Sequence, residues 1–229
     1  MKPAAKFSMI VTTVTVFITW LTLTKIVPII TPSWAPVAAV LSSVAVYRLL
    51  AWALAWLIEH WMWLKSFVFG PYFMQGTWVG HFVGRAGDIR YVVEQFEQTI
   101  DGLQIRGQSF TETGETHANW TSEAATIDAE RGRLIYAYSC DILTRGVVLQ
   151  GVGVFQFDRA DQFSAPTAIE GHVADLVDGI RIHTLEHKIG PQLVSFTEAL
   201  SDARRLTKEV YEKRAIDVEK GEQGVTPNA

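Results

Sequence analysis

The stretch Gly76-Thr77-Trp78-Val79-Gly80-His81-Phe82 separates two kinds of sequence in this chain. From here onwards the side chains alternate with a period of two, which is typical of β-strands that have one buried face. The preceding part consists of long apolar runs and contains six of the eight tryptophans. The stretch therefore predicts the first strand of a β-rich domain that follows a membrane-type segment.

Seven more alternating segments follow this strand, and short turn sequences rich in glycine separate most of them. Eight antiparallel strands in this order form either an up-and-down barrel or a sandwich. Because nearly every connection is as short as a hairpin, we expect an eight-stranded, lipocalin-like antiparallel β-barrel over residues 70–190, with room for side chains or one small ligand. The seven segments are Ile89–Thr99, Leu103–Thr111, Thr116–Asp128, Leu134–Thr144, Val147–Phe157, Thr167–Val177 and Arg181–Ile189.

Residues 1–65 carry two apolar runs, Phe7–Thr24 and Val37–Ile58, each long enough to cross a bilayer. A proline-rich connection between Lys25 and Pro36 predicts a transmembrane hairpin. Basic residues near both outer ends, Lys2, Lys6 and Lys65, place both termini and the barrel in the cytoplasm.

Arg48 lies near the middle of the second run, where a charged side chain is costly and usually faces protein or water. Helical spacing puts Arg48, Trp52 and Trp56 on one face, which is suited to self-association of helices. The alternative is that Arg48 extends towards the headgroups and that Trp56, Trp61 and Trp63 form an interfacial aromatic belt.

Residues 191–229 return to helical periodicity, and Ser195 and Glu198 have capping-box spacing. We expect a helix that plugs one barrel end or pairs with a second copy of the chain. Residues Gly221–Ala229 have the composition of a disordered tail.

The charge balance and the residue types of the chain limit the classes of function that it can have. Between Gly70 and Gly190 there are sixteen acidic and nine basic residues, so a DNA or RNA polymer is an unlikely partner. The single cysteine, Cys140, cannot form an intramolecular disulfide and is expected to be a small buried side chain. No nucleophile, metal-ligand or cofactor motif is recognisable, and His183 and His187 are too far apart on one strand to share a metal ion. We therefore expect neither an enzyme nor a cofactor.

A ligand site inside the barrel is the remaining possibility. Tyr136 and Tyr138 share a face of the fifth strand and suit stacking on a base, as does Trp120. Arg106, Arg181 and His183 are the candidate partners of a phosphate, although alternation with Leu103 and Ile105 also allows Arg106 to be an outer residue. Trp78 is expected to close one barrel end.

The order of a short helical hairpin and about eight strands opening on Gly76-Thr77-Trp78-Val79-Gly80 resembles the two-transmembrane β-strand-rich effectors of bacterial CBASS antiphage systems. The resemblance implies that the barrel binds a cyclic dinucleotide, that the protein oligomerises on binding, and that its helices disrupt the inner membrane and kill the infected cell. It does not supply ligand contacts residue by residue.

A second interpretation is a membrane-tethered carrier or sensor of a lipid or small hydrophobe, because the Gly-x-Trp opening is also similar to lipocalins. A third is a scaffold whose barrel is filled by its own side chains. The polarity of the barrel interior distinguishes the nucleotide receptor from the carrier of a hydrophobic ligand.

Overall fold

The computed structural model describes residues 2–26, 35–84, 87–177 and 179–223, without the side chains of residues 26–42 and 213–223. The chain divides into two compact units. One contains Met1–Phe73 with Thr99–Asp101, and the other contains Met74–Gln98 with Gly102–Ala229. Each unit is described by itself.

The first unit is helical. Helix α1 (Pro3–Leu21) continues into a π-helical turn (Thr22–Ile26), and α2 (Ala35–His60), α3 (Met62–Phe69) and a 3-10 turn (Gly70–Tyr72) follow. Among the described residues, one helical segment, Pro3–Lys25, is long and apolar enough to cross a bilayer. The second predicted span lies within α2, and most of the predicted connection, residues 27–34, lies outside the described residues.

The second unit contains eight antiparallel strands that pair in sequence order and close when β1 pairs with β8. This arrangement confirms the predicted barrel and excludes the sandwich. The predicted turns at Arg85–Asp88 and Asp178–Gly179 lie partly outside the described residues. The strands are β1 (Gly76–Val83), β2 (Ile89–Gln98), β3 (Leu103–Phe110), β4 (Thr116–Asp128), β5 (Arg133–Ile142), β6 (Val147–Asp158), β7 (Ala168–Asp175) and β8 (Arg181–Gly190).

Glycine has no β-carbon, so it lets neighbouring strands approach closely enough for the sheet to curve and close into a barrel. A β-carbon added to Gly80 would lie 2.1 Å from the carbonyl oxygen of Leu185, and one added to Gly171 would lie 2.0 Å from that of Val154. Only glycine permits so close an approach of neighbouring strands, and such kinks are how small barrels obtain their curvature.

One end of the interior is filled with apolar side chains. Trp78 is fully buried there, stacks on Phe96 with 5.2 Å between ring centroids, and donates its indole N–H to the carbonyl oxygen of Met74. Ile105, Leu134, Phe155 and Ile169 complete this cluster. We call it the packed end, and Trp78 closes it as expected.

The C-terminal helix α4 (Phe196–Gln223) lies against the outer wall of the barrel. Its residues Ala199, Leu200 and Ala203 pack on the outward-facing Val79, Val93 and Phe110. The expectation that this helix plugs a barrel end is therefore wrong, because its apolar stripe matches an apolar patch on the wall. Its start has the predicted cap, with the Ser195 hydroxyl accepting from the Glu198 amide at 3.4 Å.

Candidate functional site

The register places both predicted tyrosines inside the barrel. Tyr136 is buried and belongs to the cluster of the packed end, whereas Tyr138 lies one layer further along β5 and is half-buried. Interior glycines make room for these rings, because a β-carbon on Gly151 would lie 2.4 Å from the phenol ring of Tyr138. Trp120 also faces inwards and is partly exposed.

A polar layer crosses the middle of the interior and was not predicted from the sequence. Glu94 Oε1 accepts hydrogen bonds from the Trp120 indole at 2.6 Å and from the Tyr136 hydroxyl at 3.0 Å. Glu186 accepts a hydrogen bond from the Thr184 hydroxyl at 3.3 Å. Both carboxyl groups are almost completely buried.

The two carboxyl groups also lie close enough to share a hydrogen bond. Neither Glu94 Oε2 nor Glu186 Oε2 has an N–H or O–H donor within the part of the chain that the structure describes, so a proton held between them is the arrangement that satisfies both. Burial, followed by the neighbouring Glu94, holds the pKa of Glu186 well above its usual value. Glu186 is therefore the protonated partner, and Glu94 accepts hydrogen bonds from Trp120 and Tyr136 at Oε1 and can accept a third from Glu186.

Burial raises the pKa of Glu94 as well, but the bonds from Glu186, Trp120 and Tyr136 oppose this effect. The only interior lysine among the described residues, Lys188, lies with its ammonium 5.6 Å from the Trp78 ring centroid, and burial lowers its pKa to about 8. The interior is thus neither a plain aliphatic cavity nor a basic one.

Beyond the polar layer, at the end opposite Trp78, Val92, Ser109 and Ala118 are still buried, but most other inward-facing side chains are only half-buried. We call this region the open end. Asp175 stands at its rim, and burial raises the pKa of Cys140 to about 11, which keeps the thiol protonated at neutral pH. Its half-buried lining includes Phe82, Arg90, Trp120, Tyr138, Cys140, Ile142, Val173 and Ile182, and Arg90 forms an ion pair with Asp88.

The three predicted cations do not lie beside the tyrosines. Arg106 faces outwards from β3 and forms an ion pair with Glu97 at 3.1 Å. His183 faces outwards from β8 and contacts Glu170 at 3.2 Å, and Arg181 is exposed at the start of the same strand. These residues alternate with inward-facing residues such as Ile105 and Ile182, so the outer position allowed for Arg106 is confirmed, and none of the three joins the tyrosines inside the barrel.

Arg181 and His183 nevertheless share a cleft of about 290 Å³ on the outer side of the open end. Its lining includes Phe82 and Ile182, which also line the interior, and Tyr211 of α4. The His81 ring lies 5.3 Å from that of Tyr211. A molecule that lies across the rim between β1 and β8 therefore meets aromatic side chains inside and Arg181 and His183 outside.

A larger cleft of about 670 Å³ lies between β7, β8 and α4. Three carboxylates line it, namely Asp158, Glu198 and Asp202, and Arg205 is held by Asp202 and Glu209 at 2.9 and 3.2 Å. Lys188 also lines this cleft, so its charges are mixed and it is not a purely cationic site. Within the described residues, no group of three or more His, Cys, Asp or Glu side chains is arranged to hold a metal ion.

The predicted membrane residues lie on an exposed face of α2. Arg48, Trp52 and Trp56 are all exposed in the isolated chain. This placement agrees with contact to lipid or to another chain and does not distinguish the two.

No known protein-family model and no curated protein matches this chain. Among solved structures it is similar to designed barrels. A redesigned β-barrel, mFAP1, bound to DFHBI shares 15% identity, covers 52% of this chain and 98% of its own, and has a TM-score of 0.39. The redesigned barrel b11L5F_LGL shares 13% identity, covers 53% and 96%, and has a TM-score of 0.40. These similarities concern the barrel fold alone.

Proposed function

We propose that this protein is a membrane-anchored receptor that binds a small ligand at the open end of its barrel. The observation that carries the proposal is the difference between the two ends of the interior. Trp78 and its neighbours fill one end, whereas Trp120 and Tyr138 remain partly exposed at the other. Concave sites lined by aromatic side chains and a few polar groups are typical of ligand binding.

The ligand that we propose is a cyclic dinucleotide, as the resemblance to CBASS effectors implies. Its bases would stack on Tyr138 and Trp120, and Asp175 would accept hydrogen bonds from an exocyclic amine. Its phosphates would remain outside, near Arg181 and His183, because the interior carries the Glu94 carboxylate and the inward-facing Arg90 is already paired with Asp88. This division removes the conflict between an anionic ligand and an acidic barrel.

The apolar helix Pro3–Lys25 supports anchoring, and we propose that α2 forms the second span, with both termini and the barrel in the cytoplasm at the bacterial inner membrane. Ligand binding would favour an oligomer, in which Arg48, Trp52 and Trp56 of neighbouring copies approach one another and the helices disrupt the bilayer.

A second candidate is a carrier or sensor of a small hydrophobic ligand. It is favoured by the aliphatic part of the lining, in which Ile142, Val173 and Ile182 share the open end with the aromatic rings.

Thermal unfolding of the full-length protein in lipid nanodiscs distinguishes these candidates. Cyclic dinucleotides are expected to raise the melting temperature in a concentration-dependent manner. A fatty acid that raises it, with no effect of any cyclic dinucleotide, would favour the carrier and overturn the nucleotide receptor.

A further inference from the structure

The short helix α3 (Met62–Phe69) exposes an aromatic face that nothing in its own unit covers. The chain bends before it, because Trp61 has an extended backbone (φ −112°, ψ 99°) between α2 and α3. Lys65, Val68 and Phe69 are only 4%, 2% and 4% exposed, whereas Trp63 and Phe67 are 67% and 62% exposed. The helix therefore turns an uncharged aromatic face outwards.

The charged groups next to this aromatic face indicate how deep it lies in a bilayer. Lys65 pairs with Glu59 at 3.0 Å, and Lys6 donates to the carbonyl oxygen of Phe67 at 2.6 Å while its ammonium lies 4.1 Å from the Phe67 ring centroid. Charged side chains are costly in the hydrocarbon core, so this level cannot be the middle of the bilayer. Water is also unfavourable, because an aromatic patch of this kind is normally covered.

Tryptophan beside lysine is the composition of the headgroup region, where the indole buries its apolar ring and keeps its N–H near polar groups. Trp61 extends the patch, since its ring stacks on that of Trp63 with 6.1 Å between centroids. We propose that α3 lies along the membrane surface, with Trp63 and Phe67 inserted at the boundary between headgroups and acyl chains. This inference rests on the membrane anchoring in the proposed function and not on the identity of the ligand.

Depth-dependent fluorescence quenching tests the proposal on the full-length protein. Cys140→Ala provides a background without thiols, and Trp63→Cys and Phe67→Cys are labelled separately with the fluorophore NBD. The protein is placed in phosphatidylcholine and phosphatidylglycerol vesicles that carry a spin label either on the headgroup or at acyl carbon 12. Trp52→Cys, in the exposed face of α2, is the control for membrane insertion, and Glu123→Cys, on the outer face of β4, is the control for water.

At positions 63 and 67 we expect the headgroup label to quench at least about twofold more than the acyl label, since interfacial helices insert only about 5–10 Å. At position 52 the acyl label should be the stronger quencher. Quenching at position 52 with none at 63 and 67 would overturn the interfacial helix but leave the anchor intact. Stronger quenching by the acyl label at 63 and 67 would overturn it as well. The absence of lipid quenching at all three positions would overturn both the interfacial helix and the anchor.

Discussion

The indole of Trp120 on β4 donates a 2.6 Å hydrogen bond to Glu94 Oε1 on β2, passing across Gly107 on the strand between them. A β-carbon at position 107 would lie 2.1 Å from Cε2 of the indole. The glycine, the indole and the carboxylate thus form one unit that spans three strands at the boundary between the packed end and the open end.

Gly107→Ala should destabilise the barrel. The new methyl group collides with the Trp120 ring, which cannot move without losing its bond to Glu94, so we expect a loss of about 1–3 kcal/mol in the free energy of unfolding. Gly102→Ala is the matched control, because a β-carbon there meets no atom within 4 Å. Chemical denaturation of both variants checks this, and equal stabilities would show that the indole is not held in place.

Glu94→Leu should cost more stability than Glu94→Gln. The leucine leaves the Trp120 N–H and the Tyr136 O–H without an acceptor in a buried layer, at about 1–3 kcal/mol for each unpaired group. The glutamine keeps an oxygen that can accept both bonds. Thermal unfolding in the same detergent measures the difference, and a leucine variant as stable as the glutamine variant would contradict the network.

The carboxyl pair should make the barrel less stable as pH rises. Burial raises the pKa values of Glu94 and Glu186 in the folded protein above those of the unfolded chain, so the stabilisation is complete below the unfolded value and decreases as pH rises towards the folded ones. The melting temperature should fall as pH rises above the unfolded value of about 4.5, and less steeply in Glu186→Gln.

Two other groups make the folded protein more stable as pH rises. His117 has a pKa lowered by burial and by Arg90, so it favours the folded state as pH rises through this range. The pKa of Lys188 is lowered to about 8, so this group increases the stability of the folded state only as pH rises from about 8 to the unfolded value near 10.5. Both are present in wild type and in Glu186→Gln, so the difference between the two curves isolates the carboxyl pair. Parallel curves would rule out a shared proton.

Arg48→Ala should weaken the toxicity of the protein to cells that produce the ligand and leave ligand binding unchanged. The side chain is exposed on α2, far in sequence from the barrel, and a charge at mid-span is costly unless it has a function. Leu49→Ala, also exposed on α2 but outside the set formed by Arg48, Trp52 and Trp56, is the matched control and should kill like wild type. Growth after induction measures the effect, and unaltered killing by Arg48→Ala would rule out the proposed role.

The sequence predicted the barrel because six of its seven strand connections are short and its strands alternate regularly. It also predicted the inward position of Tyr136 and Tyr138, since Leu134 and Ile142 share their face. The same rule applied to β3 places Arg106 opposite Ile105, on the outside, where it is found.

The polar layer was harder to predict, for a physical reason. Helix α4 covers part of the outer wall, so outward residues such as Val93 and Phe110 are as apolar as inward ones. Because both faces of β2 carry apolar residues, alternation alone does not show which face is buried, and a glutamate such as Glu94 is then expected to face solvent. Its inward position follows only from Phe96, which lies two residues further along on the same face. Glu186 is hidden in the same way, because Leu185 and Ile189 beside it are outward residues that suggest the opposite orientation.

The most direct test of the central claim is calorimetric titration of a cyclic dinucleotide into the full-length protein and two variants. Tyr138→Ala removes a stacking surface at the open end and should weaken binding by about tenfold or more, since base stacking contributes about 1–3 kcal/mol. Arg106→Ala, on the outer wall beside Glu97, should bind like wild type. Unchanged binding by Tyr138→Ala, or a loss confined to Arg106→Ala, would contradict a ligand site at the open end of the barrel.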